Sequence, residues 1–169
     1  NLENVCSSSN SSDFSFRVFD CAQIPYPDAS FDLVIANHVL FYCDDLDKVC
    51  SEIKRVLKPN GRFLCSTYGS LHMQEISKLI QEFDSRIVLS ADSLFEKFGL
   101  NNGADILSNT FSKITLEKYE DSIELDTPEP LIEYILSCHG NQNQYLLDHY
   151  QDFRAFVTKK VKGGFHITK

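Results

Sequence analysis

Residues 31–68 read FDLVIANHVLFYCDDLDKVCSEIKRVLKPNGRFLCSTY, and the order of patterns within them decides the fold. The segment opens on a nearly unbroken apolar and β-branched run, Phe31–Asn37, which suits a strand in a sheet covered on both faces. Leu46, Val49, Cys50, Ile53, Val56 and Leu57 then recur at helical spacing, with Asp44 or Asp45 placed to cap the helix start. Lys54, Arg55 and Lys58 crowd the helix end, where the peptide dipole favours cations. Pro59-Asn60-Gly61 stops the helix and turns the chain, and residues 62–68 form a second strand. Strand, helix, strand in this order predicts a parallel pair joined by a right-handed crossover.

Upstream, residues 1–12 are a polar, serine-rich tail. Phe14, Phe16 and Val18 alternate with polar neighbours, which predicts a short strand over 14–19 that Asp20 closes. Pro25-Tyr26-Pro27-Asp28 is a turn, because each proline fixes φ and removes a donor. Downstream, Gly69-Ser70 leads into a helix with Leu71, Ile76, Leu79, Ile80 and Phe83 on one face. A short helix over 91–98 ends at Gly99, and residues 112–125 are strand-like. Pro128 or Pro130 opens a helix that runs to Ser137. Leu146, Leu147, Tyr150, Phe153, Phe156, Val157 and Val161 predict one longer helix, ended by Gly163-Gly164 before a last strand from Phe165.

The chain has 169 residues, a hydrophobic content of 43% and a formal net charge of −8. That length buries a real core without metal or disulfides, so residues 13–169 are expected to form a single domain. The negative charge excludes a dedicated nucleic-acid binder, which needs a basic face to displace counterions. No apolar run approaches the roughly 20 residues that cross a bilayer. The six cysteines form no CxxC pair, and with five scattered histidines they make no zinc site. Without a signal segment at its start, the chain is expected to be cytoplasmic with reduced thiols.

In an open α/β sheet, ligands sit beyond the carboxyl ends of the strands. Three such ends are legible: Asp20, Asn37-His38 and Tyr68-Gly69-Ser70. An aspartate there either caps a turn or accepts hydrogen bonds from a ligand, and pattern alone leans to the cap.

Residues 18–69 resemble the class I S-adenosylmethionine-dependent methyltransferases, in particular the small type-11 branch. The likeness lies in Asp20-Cys21-Ala22, in Ile24-Pro25-Tyr26-Pro27-Asp28 running into Phe31-Asp32-Leu33-Val34, in Asn37-His38-Val39-Leu40, and in Arg55-Val56-Leu57-Lys58-Pro59-Asn60-Gly61-Arg62. No piece is specific alone; their order and spacing are. The resemblance implies an α/β fold with a partial Rossmann-like sheet, mostly parallel with an antiparallel last strand, and helices on both faces. It implies methyl transfer from S-adenosyl-L-methionine to a small-molecule acceptor. Asp20 would then accept from the adenine amine, with the Cys21 and Ala22 backbone at the ring edge. Asn37 and His38 would lie near the methionine part. Tyr42 and His72 would line the acceptor pocket as candidate catalytic residues, and residues 71–164 would shape that pocket. The bland readings are packing for Cys21 and His38 and a helix-start cap for His72.

Asn60 stands where the family usually has the first glycine of Pro-Gly-Gly, and Ala29 where glycine is common. None of the seven glycines forms the glycine-rich turn by which the family grips its cofactor. The chain therefore reads as the C-terminal part of such a domain. Phe31–Asn37 is then an apolar edge, expected to pair with the 14–19 strand or with a second copy in a homodimer. A non-catalytic α/β fragment that dimerises there is the alternative, and a dehydrogenase piece is disfavoured by residues 55–61.

Overall fold

β1 (Phe31–Asn37) and β2 (Leu57–Ser66) lie side by side and parallel in the computed structural model, which describes residues 15–90 and 93–169. Leu33 pairs with Arg62, Ala36 with Cys65 and Asn37 with Ser66. Helix α1 (Leu46–Val56) makes the crossover. Asp45 is its cap, and its carboxylate accepts from the Lys48 N–H at 2.9 Å. The helix ends one residue before Leu57, which already pairs with Phe31. Pro59-Asn60-Gly61 thus lies within β2 as an irregularity between two paired stretches, not as a turn before it.

Two residues that stand in for glycine take the left-handed backbone that glycine would have taken. Ala29 has φ +53° and Asn60 φ +67°. Asparagine tolerates that region well, whereas alanine there costs roughly 1 kcal/mol.

Val49, Cys50 and Ile53 of α1 pack with Ala36, Leu40, Phe41, Phe98 and Leu107 in one core cluster, with Val34, Phe63 and Cys65 against it. Each fully buried aliphatic or aromatic side chain contributes about 1.5–3 kcal/mol. Short helices α2 to α4 follow: α2 (Gln74–Phe83), α3 (Leu94–Lys97) and α4 (Gly103–Ser108). The opposite face of the β1–β2 pair carries Leu33, Ile35 and Leu64, all exposed at 45–56%. Residues 15–20 are not a strand, and Phe16, Val18 and Phe19 are exposed. Alternation alone does not make a strand; it needs a hydrogen-bonded neighbour. Phe14 and the 1–12 tail lie outside the described residues.

A second core gathers the rest. It joins Ile76, Leu79 and Ile80 of α2 to Ile87, then to α5 (Glu129–Ser137), α6 (Gln142–Leu146), α7 (Tyr150–Val161) and Ile167. Pro130 sits in the first turn of α5, where its missing N–H costs nothing. The helix predicted from Leu146 to Val161 forms only from Tyr150, as α7, while Leu146 closes the shorter α6. Of the strand-like stretch 112–125 only β3 (Ser122–Leu125) pairs, antiparallel, with β4 (Phe165–Thr168). Thr168 is tied to α2 by two hydrogen bonds to the Glu75 carboxylate, at 2.8 and 3.1 Å. The fold is α/β, with a parallel strand pair and an antiparallel last strand. Among the described residues, no helix is long and apolar enough to cross a membrane.

Candidate functional site at the strand ends

β1 and β2 end level with one another, and their C-terminal ends build the site. Asn37 and Ser66 are register partners, and the Ser66 hydroxyl donates to Asn37 Oδ1 at 3.3 Å. The His38 N–H donates to the Ser66 carbonyl and hydroxyl oxygens, each at 3.2 Å. His38 itself has φ +49°, a strained conformation for a side chain of this size. That turn throws the imidazole over the end of the neighbouring strand. The His38 ring stacks on Tyr68, with centroids 6.2 Å apart and planes 21° apart.

Tyr68 is the centre of the cluster. Phe41 meets it edge-on at 5.3 Å, and the His72 ring lies 4.9 Å away, tilted by 36°. Tyr42 packs on Phe41 at 4.7 Å and is two-thirds exposed. The Tyr68 backbone is held by the Leu100 N–H, which donates to its carbonyl at 3.2 Å. His72 sits in the turn before α2, and Met73 follows it in a left-handed conformation. His72 is therefore not the first residue of the helix, and it does not cap it. Burial, helped by nearby His38 and Lys169, holds the His72 imidazole below its ordinary pKa. The ring is therefore neutral at neutral pH and a weaker base than a free imidazole. Burial, helped by nearby Tyr42, raises the Tyr68 phenol above its ordinary value, so it keeps its proton.

The Asp20 turn forms a second part. The Gln23 N–H donates to the Asp20 carbonyl at 2.9 Å, and the Ala22 N–H to Asp20 Oδ1 at 2.8 Å. One carboxylate oxygen thus caps its own turn, and the Ala22 N–H points into the turn as well. Phe19, Asp20, Ala22, Gln23, Ile24 and Pro25 line an open groove of about 800 Å³. Arg55 fixes the far side of this turn. It makes a two-point contact with Glu52, at 2.8 Å for each bond, and donates to the carbonyls of Ile24 and Tyr26. Glu52 accepts from the Ile24 N–H at 2.9 Å. The two parts touch through Cys21 and Cys43, whose Sγ atoms are 3.5 Å apart.

The structure therefore brings together Asn37, His38, Tyr42 and His72, and places Asp20, Cys21 and Ala22 next door. Phe41 and Ser66 were not singled out from the sequence. Tyr68 follows the end of β2 as His38 follows the end of β1, and the strand-end rule marked its position, though no role was assigned to its ring. Among the described residues, no group of three His, Cys, Asp or Glu side chains is placed to hold a metal ion.

Residues 2–65 match the family model described as a methyltransferase domain. The chain is 35% identical over 71 residues to a malonyl-(acyl-carrier protein) O-methyltransferase of Methylovorus sp. (strain MP688), which covers 42% of this chain and 24% of that protein. It is 49% identical over 45 residues to sterol 4-C-methyltransferase strm-1 of Caenorhabditis elegans, over 27% of this chain and 14% of the relative. The chain thus spans about a quarter or less of the length of these relatives. A solved structure of a candidate type II methyltransferase from Anaeromyxobacter dehalogenans superposes with a TM-score of 0.58 at 16% identity. That match covers 99% of this chain and 73% of the other. The likeness is one of fold, and the family match includes β1, α1 and all but the last residue of β2.

Proposed function

We propose that this chain works as part of a class I S-adenosylmethionine-dependent methyltransferase, acting on a small-molecule acceptor. The observation that carries the reading is the cluster of His38, Tyr68 and His72 beside Asn37 at the level ends of β1 and β2. S-adenosyl-L-methionine supplies an activated methyl on a sulfonium, with a good leaving group already in place. The residues present fit the adenine end of that cofactor: Phe19 and Ile24 offer apolar walls, and Asp20 and Gln23 offer polar edges, to one groove. They offer no glycine-rich turn for the other end.

With the leaving group activated, the protein contributes alignment and exclusion of water, worth up to several kcal/mol. The aromatic faces of Tyr42 and Tyr68 suit a cation, because ring quadrupoles attract positive charge. Asn37 Oδ1 and the Ser66 hydroxyl fix polar contacts at the strand ends. Neutral His72 takes a proton from an acceptor hydroxyl or carbon acid where the reaction needs that. The region 71–164, with its own core, forms the acceptor side. The relatives named above methylate oxygen in one case and carbon in the other, so the acceptor atom is not assigned.

Titration of the isotope-labelled chain with S-adenosylhomocysteine tests this reading by amide chemical shifts. Shifts centred on Asp20–Ala22 and on Asn37, His38 and Tyr68 are expected, with millimolar rather than micromolar affinity. No shift there at several millimolar, or shifts confined to α7, would remove the proposal.

The described cysteines are free thiols, which supports a reducing, cytoplasmic setting. Among the described residues β1 pairs only with β2, and its unpaired edge supports pairing of two copies there. Sedimentation velocity should then show mass rising with concentration, and a species that stays monomeric at high concentration excludes the homodimer.

A further inference from the structure

Two thiols from separate segments meet between the two parts of the site. Cys21 lies in the Asp20–Gln23 turn, and Cys43 follows the 3₁₀ turn Leu40–Tyr42. Their Sγ atoms are 3.5 Å apart across a sequence separation of 22 residues. Neither thiol is fully buried, unlike Cys50 in the core cluster. Each backbone is held from its own side. The Cys21 turn is closed by the Gln23 N–H and by the Asp20 carboxylate, while the Cys43 N–H donates to the Leu40 carbonyl at 3.0 Å. The Cys43 thiol also contacts the Val39 carbonyl at 3.8 Å. A shift of about 1.5 Å brings the sulfurs to bonding distance, near 2.05 Å. Half-exposed loops accommodate such a shift, whereas a packed core resists it.

We propose that Cys21 and Cys43 form a reversible intramolecular disulfide when the chain meets a two-electron oxidant such as hydrogen peroxide. The Cys21 thiolate attacks one peroxide oxygen. The O–O bond breaks, and hydroxide leaves from a sulfenic acid. Cys43 then attacks the Cys21 sulfur, the S–O bond breaks and a second hydroxide leaves. The two thiol protons end on these hydroxides, so two thiols and one peroxide give one disulfide and two waters. Position gives Cys43 the second role, because its Sγ stands 3.5 Å from the sulfur that it must attack. Cytosolic disulfides of this kind are transient and regulatory, and dithiols restore the open form. The bond fastens the Asp20 turn to the loop that follows His38. That consequence, though not the bond itself, rests on the reading of the turn as the adenine edge.

The test is peptide mapping of the full 169-residue chain after peroxide treatment, without reduction. A Cys21–Cys43 linked peptide is expected as the main cross-link. The intact mass falls by about 2 Da for the two hydrogens lost, and dithiothreitol reverses it. The link is absent in Cys21→Ser and in Cys43→Ser and persists in Cys138→Ser. Mapping of the unsubstituted chain decides the matter even where a serine variant fails to fold. Separate sulfinic or sulfonic acids at positions 21 and 43, or links scattered to other cysteines, overturn the proposal. S-adenosylhomocysteine titration of the oxidised chain is a separate reading. A changed shift pattern at residues 20–22 supports the adenine-edge assignment, and an intact link with unchanged titration overturns that assignment alone.

Discussion

Gly140→Ala is expected to destabilise the chain by about 3 kcal/mol, at the upper end of what overpacking costs. A Cβ at this position would stand 1.8 Å from the Val88 carbonyl oxygen and 2.7 Å from the Leu89 carbonyl carbon. Both are backbone atoms, so no rotamer change relieves the clash. The neighbouring Asn141 holds the same two segments together. Its N–H donates to the Val88 carbonyl at 3.0 Å, and its Oδ1 accepts from the Val88 N–H at 2.7 Å. Its Nδ2 donates to the Arg86 carbonyl at 2.9 Å. Relief by separation therefore breaks these bonds and pulls Ile87 away from Ile135 and Leu146 in the second core. Gly163 is the control. It has φ +96° and nothing within 4 Å of a built Cβ, so alanine there costs only conformational strain, about 1–2 kcal/mol. Urea denaturation of the two variants separates close packing from backbone conformation. Equal midpoints would mean that residues 86–90 do not press on Gly140.

The parts that were legible in the sequence are those fixed by local chemistry. Phe31–Asn37 is apolar and β-branched, α1 repeats its apolar face every three or four residues, Asp45 is a capping residue, and Gly163-Gly164 takes the positive φ that ends α7. The parts that were not legible depend on partners distant in sequence. The alternation of Phe16 and Val18 reads as a strand, yet a strand exists only beside another, and residues 15–20 have none. The start of α7 at Tyr150 rather than Leu146 is not visible in the apolar spacing, which runs on through Leu147. For the site, the strand-end rule found Asn37, His38 and Tyr68, and the resemblance supplied Tyr42 and His72. It did not show that the Tyr68 ring meets both imidazoles, because the turn after β2 is held by Leu100 and by Thr67, which bonds the Phe98 carbonyl. Likewise, the meeting of Cys21 with Cys43 follows from the way Arg55 draws the loop onto α1.

Arg55→Ala is expected to lower Tm by about 5–10 °C and to release the Asp20 turn from α1. Five bonds converge on this guanidinium. Two go to Glu52, two to the Ile24 and Tyr26 carbonyls and one to Asp28, all at 2.8–2.9 Å. The Asp28 contact adds little, since that carboxylate is 79% exposed and screened. The weight lies on Glu52, whose side chain is only 13% exposed and whose Oε2 also holds the Ile24 N–H. Hydrogen bonds from Arg55 hold the Glu52 carboxyl down to about 2, against an ordinary 4.5. A carboxyl depressed on folding stabilises fully above its unfolded value and loses that contribution as pH falls through its folded one. Wild-type Tm should therefore drop between about pH 4.5 and about pH 2, and in Arg55→Ala that part of the drop should be missing. Arg55→Lys should not restore it, because an ammonium cannot span two carboxylate oxygens and two carbonyls at once. In the S-adenosylhomocysteine titration, Arg55→Ala should lose the shifts at Asp20–Ala22 and keep those at His38 and Tyr68, since the strand ends do not hang from this residue. Loss of both sets would mean that the two parts fold as one unit. Retention of both, with an unchanged acid profile, would mean that the loop holds its shape without the clamp.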